Sequence, residues 1–470
     1  MADPQGRGGR QLDGSVMRVS SRGGAGRGPH VAFVAAALLF ALLGGLLLAL
    51  ALPIDALARG STGGRWTAYA QVHGHLQTVG FVGLFIVGMA YRLLPGFAGF
   101  TRLRFPGLVW PSFWLLTGGV LARTIGQSVA TSAPFAAMMA GGAAAEAAGA
   151  VLVAVNIAPM SWHAARAGRP FALFFLAGTG WFVLQAVLGA IWLAQLAAIR
   201  GTVLAQDRDG LLVFLQLFGF HLMFILGVGI RSFPVLFAAH PATMRRALAA
   251  WAPVQVGIAM LVIGALVEAW RAGRGWVAED AGAALAGVGL VMAVSLTGWW
   301  RAPTRVRPAS RPFTYTLQPA MAWLAVAGCL LSAFALDGLV RGGAPTAAQW
   351  DAVRHVVAIG VVLMTIVGMA QLIVPELATE RLAGRQGAWR GIAFGVALSL
   401  AVVLRSFPRL LPVQLQGTWV YWGMAVAALT AIVVLALLAF YFARGVRNLP
   451  DGAATTGERH ERPGPPREDW

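Results

Sequence analysis

His75 and His355 are the residues whose type and placement point first to chemistry. Each stands 13 residues before a glycine and 20 before a proline: Gly88 and Pro95 for His75, Gly368 and Pro375 for His355. Neutral imidazole ligates transition metals, and two imidazoles approaching from opposite sides form a suitable axial pair for haem iron. The same frame occurs a third time at Gly227 and Pro234, where Phe214 takes the histidine position and cannot ligate. His221 lies seven residues beyond Phe214. On a helix it shares that face about 10 Å deeper, which makes it a candidate third metal ligand. Val82 and Val362 stand at the matching depth in the other two segments. The plainer alternative is that these histidines are helix-end groups or hydrogen-bonded interior residues.

The neighbouring groups extend this reading. His73 precedes His75 by two residues, so on a helix the two rings point about 200° apart. The alignment with His355 favours His75 as the haem ligand and leaves His73 for another role. Arg123 and Arg405 fall 35 and 37 residues after Gly88 and Gly368. Their planar guanidinium forks suit carboxylates, which makes haem propionates candidate partners, with interfacial snorkelling as the alternative. Glu146, in an Ala/Gly-rich stretch, needs a partner if it lies in a membrane and is a candidate proton-transfer group. His30, His163, His240 and His460 are expected to face solvent from tails or loops.

These residues must be positioned by membrane helices. Of the 470 residues, 58% are hydrophobic and only 11% charged, and the mean hydropathy is +0.70. A soluble domain carries about 25% charged residues, so a soluble enzyme, a disordered chain and a secreted disulfide scaffold are excluded. Runs of about 20 apolar residues, enough to cross a bilayer, suggest twelve helices near 31–52, 67–95, 106–125, 134–160, 170–198, 211–237, 247–270, 281–299, 316–340, 349–375, 391–412 and 417–443. The expected class is therefore an all-α membrane protein of about twelve transmembrane helices. Residues 1–28 and 449–470 read as disordered tails around a transmembrane domain over 29–448. The single cysteine, Cys329, excludes an intrachain disulfide, and its apolar surroundings disfavour a reactive thiolate.

The net charge of +18 does not indicate nucleic acid. All 36 basic residues are arginine and they collect between the apolar runs. With both termini in the cytoplasm, 23 arginines fall inside and seven outside, as the positive-inside rule requires. A cleavable signal at Ala49-Leu50-Ala51 is the alternative for the first run, which is longer than a usual signal core. Gly88, Gly227 and Gly368 are 139 and 141 residues apart, each following a glycine by eight and preceding a proline by seven. This spacing suggests three pseudo-symmetric four-helix repeats, over about 31–165, 170–311 and 313–445.

The segments HGHLQTVGFVGLFIVGMAYRLLPGFAG, IRSFPVLF and RHVVAIGVVLMTIVGMAQLIVPELA resemble the NnrS family, within the haem–copper oxidase subunit I-like superfamily. The resemblance covers most of 31–445. It implies twelve helices in three arcs of four, haem and copper as cofactors, and a part in nitric oxide metabolism and nitrosative stress. It also implies that the low-spin haem ligands of the second and tenth helices map onto His75 and His355, and a copper ligand of the sixth onto His221. The chain departs from the oxidases in having no histidine in the seventh span and only His355 in the tenth. An oxidase-type copper centre with three histidines therefore cannot be assembled. The expected protein is a bacterial inner-membrane, multi-pass haem protein that meets lipid, nitric oxide or another small gas, and an electron donor. The alternative is a metal-free transporter or membrane scaffold on the same fold.

Overall fold

The computed structural model describes residues 28–270, 275–304, 308–378 and 385–447. The expected terminal tails (residue 28 apart) and the loop arginines 271, 274, 305, 307 and 381 lie outside the described residues. Among the described residues the chain is helical, without strands. Twelve helices are long and apolar enough to cross a membrane: α1 Pro29–Arg59, α2 Trp66–Ala98, α3 Pro106–Ser128, α4 Ala133–Arg166, α5 Phe171–Ala198, α6 Gln206–Leu236, α7 Met244–Glu268, α8 Trp276–Ser295, α9 Arg311–Arg341, α10 Ala347–Gln371, α11 Trp389–Leu410 and α12 Trp419–Arg444. In lipid the backbone must satisfy its own hydrogen bonds, which makes helices the natural spanning element for such a sequence. The chain is a multi-pass membrane protein by length and composition.

Helix ends differ from expectation by a few residues, mostly where polar residues extend a helix beyond its apolar run. α6 begins at Gln206, with Asp207 and Asp209 in its first turn, and α8 begins at Trp276, with Glu279 in its first turn. Carboxylates at a helix start face the positive end of its dipole, so apolar patterning alone places these starts too late. His30, expected to face solvent, is instead buried in the first turn of α1. Cys329 is exposed on the outside of the bundle rather than enclosed.

α2, α6 and α10 form the centre. Their most apolar windows are 67%, 83% and 72% buried, against 39–56% for the other nine spans. Consecutive helices α3–α4, α4–α5, α7–α8, α8–α9 and α11–α12 pack side by side, and α12 returns to pack on α1. The paired glycines of the central helices are where neighbours approach. A side chain on Gly88 would meet Phe33 of α1 at 2.6 Å, one on Gly227 would meet Phe175 of α5 at 2.8 Å, and one on Gly368 would meet Leu317 of α9 at 3.4 Å. Eight residues earlier the same three helices press Phe40, Trp181 and Trp323 against Gly80, Gly219 and Gly360, at 3.2, 2.8 and 2.9 Å. Without such small residues membrane helices cannot pack this closely.

Each central helix also contains a wide π-type stretch: Leu76–Gly83 in α2, Leu215–His221 in α6 and Val356–Leu363 in α10. They start on the residue after His75, Phe214 and His355, and the stretch of α6 packs on those of α2 and α10. A π turn interrupts the regular i−4 ladder and is often found at functional sites. A fourth such turn, Ala41–Gly45, lies in α1 beside α2.

Close backbone approach also joins α3 to α4. A Cβ on Gly142 would lie 2.5 Å from the Arg123 backbone nitrogen and 2.7 Å from the Gly119 carbonyl oxygen. Gly142→Val must push these helices apart, and overpacking of this kind costs about 2 kcal/mol. The expected result is a thermal midpoint lowered by several degrees in detergent, whereas Gly141→Val, where an added Cβ meets nothing within 4 Å, leaves it unchanged.

Candidate functional site

The polar residues gather where α2, α6 and α10 begin. His75, 4% exposed, directs Nε2 at Oε1 of Glu146 on α4, 3.0 Å away. Arg123 of α3 brings Nη1 to within 3.8 Å of the other carboxylate oxygen. Glu146 therefore has both a hydrogen-bond donor and a counter-charge, as an acid buried in a membrane requires. With Nε2–H donating to the carboxylate, His75 carries its lone pair on Nδ1, which is buried and without a hydrogen-bond partner.

A second group lies on the other side of α2. His355 Nδ1 is 2.8 Å from the Asp351 carbonyl oxygen, one helical turn back, and 3.3 Å from its carboxylate. Arg405 of α11 binds the same carboxylate through both terminal nitrogens, at 2.8 and 3.3 Å. His73 directs Nδ1 to the Gly45 carbonyl oxygen at 2.7 Å. Gly45 closes the π turn of α1, where irregular hydrogen bonding leaves a carbonyl free to accept. His73 is within electrostatic reach of His355, Arg405 and Asp351, whereas the charged neighbours of His75 are Arg123 and Glu146.

The two groups are joined by charges of alternating sign. Arg123 lies within longer-range electrostatic reach of Asp209 at the start of α6, Asp209 of Arg354 on α10, and Arg354 of Asp351, without an ion pair between any of them. The guanidinium of Arg354 lies against Gly210, 3.1 Å from where a Cβ would stand. The sequence Glu146, Arg123, Asp209, Arg354, Asp351, Arg405 thus alternates acid and base through α4, α3, α6, α10 and α11. Three carboxylates and three guanidiniums cancel, so the cluster adds no net charge to an apolar interior.

Polar side chains flank this chain on either side. Near the helix starts, Gln71 donates to the Leu204 carbonyl at 2.8 Å and accepts from the Leu204 amide at 2.9 Å, tying α2 to the segment before α6. Deeper, the Thr78 hydroxyl lies 2.5 Å from Gln216 Oε1, and Gln216 Nε2 donates to Gln185 Oε1 at 2.8 Å. His221 comes next along α6. It is fully buried, with the Thr78 backbone beside its ring and Phe220 against it.

The expected site residues therefore separate. His75 and Arg123 belong with Glu146, away from His355, and Arg405 belongs with His355 and Asp351. His73, which the alignment set aside, is the histidine on the His355 side. Asp209, Arg354 and Asp351 were missed, although acidic and basic residues at the starts of otherwise apolar spans were a usable signal. Among the described residues no three His, Cys, Asp or Glu side chains converge as a metal centre, and His221 has no second ligand to help hold copper.

No protein-family model matches this chain, and none of the curated proteins compared with it is significantly similar.

Breaking the alternation leaves an uncompensated charge. Asp351→Ala strands Arg405 in a half-buried setting, where losing one partner of the pair costs about 1–3 kcal/mol. The comparison is Asp337→Ala, which breaks an exposed pair with Arg341 whose side chains are 46% and 48% accessible; such pairs contribute about 0–1 kcal/mol. Thermal unfolding in detergent should show a large loss for the first and almost none for the second.

Proposed function

We propose that this protein is a haem-binding integral membrane protein of the NnrS-like group, acting in membrane electron transfer or in the response to nitric oxide. The observation that carries the proposal is the matched state of His73 and His355. Each donates Nδ1–H to a backbone carbonyl, at 2.7 and 2.8 Å, which fixes the tautomer and leaves Nε2 as the open lone pair. Metal-ligating histidines are held this way by their outer partners. The two are electrostatic neighbours on α2 and α10, with the Arg405–Asp351 pair beside them. A side chain at Gly74, next to His73, would meet no atom within 4 Å, so this turn of α2 borders open space. The open Nε2 atoms of His73 and His355 are of the kind that would hold a haem iron, whereas His221 alone does not fit copper.

Bound haem would supply one-electron chemistry, which suits membrane electron transfer. His73 and His355 would hold the iron, the Asp351 carboxylate would increase the basicity of His355, and Arg405 would balance charge. The three-repeat architecture is part of the same proposal. It is supported by the equal placement of the π turns and by glycines that meet the preceding helix in the same way in α2, α6 and α10. The proposed setting is a bacterial inner membrane with both termini in the cytoplasm, supported by the arginine distribution.

The test is a reduced-minus-oxidised optical spectrum of the purified protein expressed with haem supplied. A six-coordinate haem spectrum is expected, lost in His73→Ala and in His355→Ala but retained in His75→Ala. Loss with His75→Ala and retention with His73→Ala would return the ligand role to His75. A folded but colourless wild-type protein would overturn the haem proposal in favour of a metal-free transporter or scaffold.

A further inference from the structure

The lipid-facing side of the bundle carries a groove of about 500 Å³ between α4, α5 and the segment that leads into α3. Its lining is alanine and valine of α4 and α5 with Pro159 and Phe105, and Arg104 is the one charged residue in it. Val151, Val155 and Phe105 are 40–43% exposed, so the groove opens away from the bundle, where lipid lies.

Arg104 is held at this place by the fold. Asn156, fully buried on α4, donates Nδ2–H to the Phe105 carbonyl at 3.1 Å and accepts from the Phe105 amide at 3.0 Å. Both backbone groups of Phe105 are thereby fixed, and the Arg104 guanidinium lies 5.7 Å from the centre of the Phe105 ring. Steps of three and four residues keep Val155, Ala158, Trp162 and Arg166 on one face of α4. Trp162 is 54% exposed, and Arg166 stacks on it at 5.1 Å. Tryptophan and arginine near the end of a membrane helix mark the headgroup level.

The positive charge at this end has no counterpart nearby in the chain. Between residues 56 and 206 the only acid is Glu146, which is engaged by His75 and Arg123. A guanidinium fork suits a phosphate, and an aliphatic groove open to the bilayer suits an acyl chain. A soluble anion would gain nothing from the groove, and a neutral lipid nothing from the arginine.

We propose that this groove is a binding site for an anionic phospholipid, with an acyl chain along α4 and the phosphate on Arg104. The site is separate from the proposed haem ligands and does not require haem.

Native mass spectrometry of the full chain in detergent, titrated with phosphatidylglycerol or phosphatidylcholine, provides the test. The tightest-bound lipid is expected to be phosphatidylglycerol, favoured about fivefold. Arg104→Ala should remove that preference, the contribution of one basic side chain near anionic lipid. Arg102→Ala, two residues away and outside the groove, should leave it unchanged. Ala158→Phe, or Ala154→Phe should the first not fold, fills the groove and should remove this tightest-bound lipid. Equal affinity for the two lipids, or equal losses in the two arginine variants, overturns the proposal. Displacement of the lipid by glycerol 3-phosphate would assign a plain anion site and also overturn it. So would a dimer that either phenylalanine variant converts to monomer with lipid binding intact, which gives the groove to a second copy.

Discussion

The structure depends on two ion pairs, Glu146–Arg123 and Asp351–Arg405, held where the central helices begin. An isolated ion in such an interior costs several kcal/mol, and no single pair here would join more than two helices. Alternation of sign offsets that cost, because each interior member of the series has an opposite charge on either side. Asp209 and Arg354, half-buried at the starts of α6 and α10, stand within electrostatic reach of the Glu146–Arg123 pair, set between α4 and α3, and of the Asp351–Arg405 pair, set between α10 and α11. Small residues make the arrangement sterically possible: Gly142 admits the Arg123 backbone, and Gly210 leaves room for the Arg354 guanidinium.

The π turns have a related consequence. All three in the central helices begin just after the charged level, so the register that organises the charges need not continue unchanged into the deeper half. In α2 the turn starts at Leu76, immediately after two histidines that face different partners. In α6 it ends at His221, with Leu222 resuming the regular helix. The central helices thus change character along their length, from ion-paired to mainly apolar, and the hydrogen-bonded side chains Thr78, Gln216 and Gln185 occupy the boundary. Below that boundary packing is mostly between apolar side chains, with single hydrogen bonds such as Tyr91 to Ser112 and Gln371 to Thr316 tying α2 and α10 to their neighbours.

Much of the fold was legible in the sequence because membrane-spanning segments are defined by a length and a composition that a single chain displays. The spacing of Gly88, Gly227 and Gly368 also located the three helices that occupy the centre, for the physical reason that a neighbour approaches closely at each. The candidate site was legible in depth but not in direction. His73 and His75 are two residues apart, and which of them faces α10 depends on the rotation of α2 about its own axis. That rotation is set by contacts with α1 and α4, through Gly45 and Glu146, and no spacing within α2 reveals it. Asp209, Arg354 and Asp351 escaped notice for a different reason: charges near a helix start look like ordinary surface residues until several helices bring their starts together.

The two histidine environments differ in a way that bears on their chemistry. His73 and His355 each bind a backbone carbonyl, an acceptor that neither titrates nor leaves, so their tautomers are fixed by the fold itself. His75 instead binds Glu146, whose own charge is shared with Arg123, so its hydrogen bond depends on the state of a carboxylate. In both arrangements one nitrogen is engaged and the other left open, and metal-ligating histidines use carbonyl and carboxylate partners alike. What separates them is that the His75 bond also ties α2 to α4 and α3 through an ion pair. The chain places both kinds on α2, separated by Gly74, and the division follows from what each ring meets: a freed carbonyl at the π turn of α1 on one side, and a buried acid on α4 on the other.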